Sequence, residues 1–288
     1  MGNKKSLTYQ ELIKGFEEKA CELESYGGVK ETVNGERKHY RLYKIVVNPQ
    51  HKKTLLITSG FHGEEFNGPI SLLNIFDEIS AYAKKMRVRL IIYPCINPSG
   101  FDLHKRYNAS DEEQNNDFMR YELGNGKLVG MLKPGEKFKR FKSVLSPAKE
   151  VRYLQHDLEN SNLTTTEIPD AVLDIHQQKG NLDNGDFYAY NYDNRAACLR
   201  IMKKIGKIAK VARRGSAWNF NDDGRLIHCQ IDDDGLVLLY DGSITDFFHR
   251  SGSEYAVCAE TNADLALEKV CAVNMIWVKE LIKLIAKE

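Results

Sequence analysis

Two histidines and two glutamates occupy positions from which their side chains could share one metal-dependent reaction. His62 and Glu65 lie three residues apart in the segment GFHGEE, whose two glycines permit a tight turn. His176 and Glu260 each come at the end of a separate apolar run. A catalytic zinc takes three nitrogen, oxygen or sulfur ligands from the protein and keeps one position for water. His62, Glu65 and His176 therefore predict a site for one zinc ion per chain.

Two further carboxylates lie near this set in the sequence. Asp174 precedes His176 by two residues, so on a regular strand it shares a face with the histidine but lies about 6 to 7 Å behind it. We therefore expect Asp174 to stay out of the metal's ligand set. Glu113 is the better candidate for a carboxylate that supports a ligand from behind.

Four short apolar runs, rich in β-branched residues, must position these side chains. They span residues 54–61, 89–96, 171–175 and 255–259, and each ends in polar residues beside a turn signal. Runs of this kind are typical of strands that are buried on both faces. In open α/β sheets, ligands bind beyond the carboxyl ends of the strands. The two histidines and two glutamates are thus predicted to lie along one edge of the sheet.

Helical patterns alternate with these runs and set the predicted fold class. Apolar residues at helical spacing follow the first run at 72–82 and the last run at 270–285. Thr8 and Glu11 form a capping-box pattern that predicts an N-terminal helix over about 7–24. The alternation predicts a single-domain α/β/α sandwich over residues 1–288, with a mixed, largely parallel central sheet and the N-terminal helix packed on it.

Composition excludes several classes of function. Lys and Arg number 41 against 40 Asp and Glu, so the chain lacks the net positive charge that would attract nucleic acid or an anionic membrane. Apolar runs are far shorter than the roughly 20 residues that cross a bilayer. The six scattered cysteines include no CxxC pair, and the first ten residues lack the apolar core of a secretory signal. The sequence therefore predicts a cytoplasmic protein whose function is local to one site.

Several ordered motifs together resemble the zinc metallocarboxypeptidase family, of the carboxypeptidase A type, and its succinylglutamate desuccinylase and aspartoacylase relatives. The segment HGEE at 62–65 looks like the family's HxxE zinc element, and NPSG at 97–100 looks like its NP(D/S)G turn. The segment DIH at 174–176 resembles the strand that bears the third ligand. The most specific likeness is YDGSITDFFHRSGSEYAVCAE at 240–260, which orders several residue types over about twenty positions.

The resemblance implies roles for individual residues. Arg106 would polarise the scissile carbonyl, and Glu260 would act as the general base toward a zinc-bound water and then as the acid toward the leaving amine. Substrate contacts would come from four residues: Asn115, Asn116, Tyr240 and Thr245. The implied activity is hydrolysis of an amide bond in a small peptide or acyl-amino-acid substrate.

One element departs from the family pattern. Asn116 stands where the family has an arginine that grips the substrate's terminal carboxylate, and an amide cannot reproduce that bidentate fork. Three functions therefore stay open: a carboxypeptidase-like peptidase, an N-acyl amino acid deacylase, and a non-catalytic binding protein on the same fold. The predicted ligands and Glu260 oppose the third.

Overall fold

A computed structural model describes most of the chain. It covers residues 7–19, 22–115, 118–132, 135–178, 182, 185–192, 194–214, 216–220 and 226–286, with the backbone alone for 216–220 and 226–229. Its helices are α1 (Tyr9–Glu18), α2 (Asn67–Met86), α3 (Pro98–Leu103), α4 (Lys149–Asn160), α5 (Arg195–Ile205), α6 (Ile244–Ser251) and α7 (Leu267–Ile285). Its strands are β1 (Leu23–Val33), β2 (Glu36–Val47), β3 (Thr54–Ser59), β4 (Arg89–Tyr93), β5 (Met119–Glu122), β6 (Leu128–Val129), β7 (Arg140–Ser143), β8 (Ala171–Gln178), β9 (Phe187–Asn191), β10 (Ser216–Phe220), β11 (Leu226–Gln230), β12 (Leu236–Val237) and β13 (Tyr255–Asn262).

One eight-stranded sheet runs through the centre of the molecule, in the order β1-β2-β4-β3-β8-β13-β9-β12. The four strands that the apolar runs predicted, β4, β3, β8 and β13, are adjacent and mutually parallel. Three pairings in the sheet are antiparallel: β1 with β2, β2 with β4, and β13 with β9. The predicted mixed α/β sheet with a parallel centre is confirmed.

Alternation along the central strands divides the core into two layers. Leu55 and Ile57 of β3 face a cluster that includes residues of α1, α2, α5 and α7, among them the fully buried Trp277. Leu56 faces the opposite cluster, which α4, α6 and β5 supply. Every residue of β3 is buried, as expected of a strand that is covered on both faces. The three-layer α/β/α arrangement follows from this two-sided burial.

The N-terminal helix is shorter than the spacing predicted. α1 begins after Thr8, whose side chain and that of Glu11 complete the predicted capping box. It packs on the sheet's helical layer, where Phe16 meets Phe76 edge to face at 5.6 Å between ring centroids. The predicted end near residue 24 is wrong, because Leu23 already pairs with Ile45 at the start of β1. Cross-strand pairing there replaces the helical hydrogen bonds.

The hairpin of β1 and β2 is absent from the prediction, although the sequence carries a signal for it. Asn34 and Gly35 link the two strands, and both have positive φ, 53° and 81°. An Asn-Gly pair with this geometry is the favoured two-residue connection between antiparallel strands. The hairpin extends the sheet by two strands, and α4 packs against β1.

None of the described helices is long and apolar enough to span a membrane.

Candidate metal centre and active site

Polar side chains lie on one face of the parallel strands, near their carboxyl ends. Thr58, Asp174, His176 and Glu260 alternate with apolar residues that face the α2 and α7 layer. Asp174 is paired with Thr58 on β3, and Glu260 is paired with His176 across β8 and β13. Since side chains in register on neighbouring strands point the same way, these groups converge toward the α4 and α6 side.

Three of the predicted residues meet in one buried cluster. His62 Nδ1 lies 2.6 Å from Glu65 Oε1, and His176 Nδ1 lies 2.9 Å from Glu65 Oε2. The donor atoms of His62, Glu65 and His176 all lie within 4.8 Å of one another. Each of these side chains is about 95% buried or more. The structure thus brings together the three predicted ligands at the end of β3 and β8.

The chemistry of this donor set fits zinc. Two imidazole nitrogens and one carboxylate are a common ligand set for a catalytic zinc, which binds nitrogen and carboxylate oxygen at about 2.0 to 2.2 Å. Ligands at those distances in a tetrahedron stand about 3.3 to 3.6 Å apart, so the cluster needs only small side-chain adjustments to hold an ion. Burial raises the pKa of Glu65, but His62 and His176 outweigh it and lower that pKa below its ordinary value. Glu65 is therefore a carboxylate, the form that binds a cation.

Cys258 offers an alternative group with Asp174 and His176, whose donor atoms also lie within 4.8 Å of one another. Burial, followed by the charges of Glu260 and Asp174, raises the pKa of Cys258 well above its ordinary value. A thiol binds metal as the thiolate, which this acidic environment disfavours. The group with Glu65 is therefore the better metal site.

The turn that carries His62 is held against α3 by close backbone contact. A Cβ atom at Gly63 would lie 1.9 Å from the carbonyl carbon of Gly100. Asn97 ties the two segments together, because its side-chain amide donates to the carbonyl oxygens of Phe61 and Arg106, each at 3.2 Å. The hydrogen bonds of Asn97, in the NPSG segment, thus fix the position of the His62 turn relative to Arg106.

We expect Gly63→Ala to destabilise the fold by about 3 kcal/mol or more, because the backbone of Gly100 must move to admit the methyl group. Gly124→Ala is the matched control, since a Cβ at Gly124 meets nothing within 4 Å, and it should change stability by less than about 0.5 kcal/mol. Urea unfolding of both variants measures the difference. Equal midpoints for the two variants would show that the turn tolerates the methyl group.

Asp174 contacts the side of His176 that faces away from Glu65. Its Oδ2 lies 2.8 Å from His176 Nε2, while its Oδ1 accepts a hydrogen bond of 2.8 Å from the Thr58 hydroxyl. Sequence reasoning placed Asp174 behind His176 but gave it no role. The signal was the DxH spacing on a buried strand, which puts both side chains on one face. A carboxylate in this position fixes the tautomer and ring orientation of a metal-binding histidine.

We expect Asp174→Asn to weaken metal binding by roughly ten- to a hundredfold, because the amide removes a charged partner of His176. Asp170→Asn makes the same change at the other end of the sheet, where Asp170 accepts a hydrogen bond from the Thr54 backbone, and should leave metal affinity unchanged. Competition with a chelator measures both affinities. Wild-type affinity in Asp174→Asn would remove Asp174 from the support of the site.

Glu113 and Arg106 lie on the other side of the cluster. Glu113 Oε1 is 3.6 Å from His62 Nε2, the ring nitrogen on the side away from Glu65. Burial raises the pKa of Glu113, but the contact and charge of His62 outweigh it and bring the pKa to about 2. Arg106 Nη1 is 4.0 Å from Glu65 Oε1. The chain thus supplies a guanidinium at the edge of the candidate metal centre.

Glu260 is the carboxyl group with the opposite shift. Burial raises the pKa of Glu260 to about 7, although the positive charge of His176 acts in the other direction. Its Oε2 is buried and has no hydrogen-bond partner among the described residues. A carboxyl group with this pKa is suited to exchanging protons near neutral pH.

The predicted substrate contacts are placed in different surroundings. The backbone N–H of Asn115 donates to Glu113, and its buried Oδ1 has no hydrogen-bond partner in the described part of the chain. Tyr240 is half-buried beneath the guanidinium of Arg250, which lies 4.3 Å from the ring centroid. Thr245 is fully buried, with its hydroxyl 3.1 Å from that of Tyr192. Asn116 lies outside the described residues.

Comparison with known families decides the family of this chain. The model of the succinylglutamate desuccinylase/aspartoacylase catalytic domain matches residues 51–222, which is more than half of the sequence. The chain belongs to this family. The match includes His62, Glu65 and His176 but ends before Glu260. None of the curated proteins compared with the sequence matches it.

Solved structures place this desuccinylase/aspartoacylase family member on the metallocarboxypeptidase fold. A candidate metallopeptidase from Shewanella amazonensis is 22% identical, with a TM-score of 0.69 over 97% of this chain and 94% of the other. Bovine thrombin-activatable fibrinolysis inhibitor, solved with a tick carboxypeptidase inhibitor, is 16% identical, with a TM-score of 0.59 over 97% and 95%. A metallo-carboxypeptidase from Burkholderia cenocepacia gives 12% identity and a TM-score of 0.60, over 96% of this chain and 68% of the other. These likenesses show that the fold is shared.

Proposed function

We propose that the protein is a zinc-dependent hydrolase that cleaves an amide bond in a small acyl-amino-acid substrate. The observation that carries the proposal is the convergence of His62, Glu65 and His176 beside Glu260. The three candidate ligands could hold a metal ion, and the adjacent carboxyl group, with a pKa of about 7, could accept a proton. The family model favours acyl-amino acids as the substrate class.

His62, Glu65 and His176 would hold one zinc ion, which supplies Lewis-acid activation of water and of the scissile carbonyl. Glu260 would accept the proton from the attacking water and return it to the leaving amine. Arg106 would stabilise negative charge on the carbonyl oxygen, a contribution of about 3 to 4 kcal/mol for one well-placed donor.

Asn115, Asn116 and Tyr240 are proposed to contact the substrate, and the fully buried Thr245 to act behind them. The Oδ1 of Asn115, which has no hydrogen-bond partner among the described residues, would accept a hydrogen bond from the substrate's amide N–H. Asn116 follows it in the chain. Tyr240 would close over the substrate, and Thr245 would hold the Tyr240 loop through its contact with Tyr192.

A peptide substrate is the second candidate, supported by the structural likeness to bovine thrombin-activatable fibrinolysis inhibitor, a protein solved in complex with a tick carboxypeptidase inhibitor. A panel of N-acyl amino acids and short peptides, assayed with the zinc-loaded protein, separates the two candidates. Higher kcat/KM on the acyl-amino acids is the expected result. Absence of turnover on the whole panel, with zinc bound, would instead favour a binding protein on this fold.

Recognition of a free carboxylate can be tested separately. A bidentate arginine contact to a carboxylate is worth about 1.5 to 3 kcal/mol, or roughly ten- to a hundredfold in discrimination, and Asn116 cannot make it. The cations that could compensate are Arg120, Arg152, Lys179 and Arg195. Arg195 is already paired with Asp232 and Asp234. Arg152 lies on α4, and Lys179 is outside the described residues.

We therefore expect a substrate with a carboxylate beside the scissile amide, and its carboxamide analogue, to differ less than about tenfold in kcat/KM. The matched pair differs only in that one group, so the ratio isolates carboxylate recognition. A ratio above about a hundred would show that another cation of this chain has taken the arginine's place.

A further inference from the structure

A cleft of about 580 Å³ lies between α4 and the β1–β2 hairpin, separate from the candidate metal centre. We call it the basic cleft, and it is lined by Lys30, Arg37, His39, Lys149, Arg152 and His156. Lys149, Arg152 and His156 share one exposed face of α4, at spacings of three and four residues. None of these residues belongs to the proposed catalytic machinery.

The lysines and arginines of the basic cleft have no carboxylate partner among the described residues, whereas His156 Nδ1 lies 3.7 Å from Glu159 Oε2. No Asp or Glu lines it, and in the described structure none of its Lys and Arg side chains has a carboxylate within 4.0 Å. Lys19, Lys44 and Arg89 elsewhere on the surface each pair with a carboxylate. The chain as a whole carries a formal charge of only +1. Four unpaired Lys and Arg side chains at one cleft therefore concentrate positive charge on one part of the surface.

The position of two of these cations on α4 adds a small cost. Lys149 is the first residue of α4 and Arg152 the fourth, near the end where the helix dipole favours negative charge; Glu150 supplies one acidic group there, and Ala148 provides no side-chain cap. Repulsion among the cations adds to that cost. An anion in the cleft would offset both effects.

Two glycines give the basic cleft its shape. A Cβ atom at Gly27 would lie 2.5 Å from the Tyr153 ring, and one at Gly28 would lie 2.8 Å from His39 Nε2. Because glycine has no Cβ atom, the side chains of Tyr153 and His39 can pack directly on the β1 backbone. The register of β1 with β2 shifts nearby, between Ser25 and Gly27. Tyr153 is nonetheless 40% exposed, so the cleft offers an aromatic surface as well as positive charge.

We propose that the basic cleft binds a small anion that carries two or more phosphoryl groups. Arg37 and Arg152 offer planar guanidinium groups that bind phosphate oxygens in pairs, and Lys30 and Lys149 add point charges. A volume of about 580 Å³ matches a small-molecule site, whereas nucleic acid is bound by an extended basic surface. The low net charge of the chain, +1, also favours a small ligand over nucleic acid.

Isothermal titration calorimetry with inorganic tripolyphosphate tests this proposal on the zinc-loaded protein. We expect one tripolyphosphate per chain, with Arg37→Ala and Arg152→Ala each weakening binding by about tenfold or more. Lys14→Ala and Lys85→Ala are matched controls, because they remove one exposed positive charge from α1 or α2, and binding should stay within about twofold. Thermal unfolding of each free variant checks that the exposed substitutions leave the fold intact.

His62→Ala distinguishes the basic cleft from the metal centre, to which a polyphosphate could also bind. Retention of tripolyphosphate binding in His62→Ala supports the basic cleft. Loss in His62→Ala together with full binding in Arg152→Ala would overturn the proposal. So would absence of binding at millimolar tripolyphosphate, equal weakening in the control variants, or tighter binding of a single-stranded RNA oligomer than of tripolyphosphate.

Discussion

Glu260→Gln is expected to lower kcat by about a hundred- to ten-thousandfold while the zinc content stays at that of the wild type. Glutamine keeps the shape of the side chain but cannot accept a proton from water. Glu260 is not in the proposed ligand set, so its charge is not needed to hold the ion. Activity on the best substrate of the panel and elemental analysis of the same preparation measure the two effects together.

Glu254→Gln is the matched control for this change. Glu254 is exposed just before β13, so the same substitution there should leave both kcat and zinc content unchanged. The assignment of Glu260 as the base fails if Glu260→Gln retains near wild-type turnover. Loss of zinc from Glu260→Gln would instead make this carboxylate a ligand, contrary to the proposed geometry.

His176→Ala is expected to remove zinc from the purified protein, with a loss of affinity well beyond the ten- to hundredfold predicted for Asp174→Asn. The substitution deletes one of the three proposed donor atoms and leaves Asp174 Oδ2 without its partner, while Oδ1 keeps its hydrogen bond from Thr58. The residual pair of His62 and Glu65 gives too few ligands for a tetrahedral catalytic site. Elemental analysis after dialysis against a weak chelator measures the result.

His62→Ala should have the same effect, which guards against a folding defect that is peculiar to His176→Ala. His51→Ala is the control, since this half-buried histidine lies in the loop before β3, at the opposite end of that strand. Circular dichroism establishes that each variant is folded. Full zinc occupancy in both His62→Ala and His176→Ala would contradict the ligand set.

Local sequence patterns were sufficient to predict the centre of the fold. β3 and β4 were recognisable because strands that are buried on both faces must be almost wholly apolar. Polar residues at their ends marked the edge where a site could form. The convergence of His62 with His176 also followed from strand order, since parallel strands deliver their carboxyl ends to one side of the sheet.

The ends of helices and strands were harder to predict, because helical hydrogen bonds compete there with pairing to distant strands. The apolar spacing that indicated a helix to residue 24 includes Leu23, whose backbone instead pairs with Ile45. Pairing with a distant strand is invisible to a local pattern. The Asn34-Gly35 turn was a readable local signal for the same hairpin.

By itself, the sequence determined the chemical types at the candidate site: two imidazoles, the carboxylate of Glu65 and the separate Glu260, each given by its position in a strand or turn. Tertiary structure decided their environments. It placed Thr58 against Asp174, enclosed the carboxyl group of Glu260 so that its pKa rises to about 7, and brought α4 against β1 to form the basic cleft. Burial and charge proximity depend on contacts between segments more than a hundred residues apart, which no local pattern specifies.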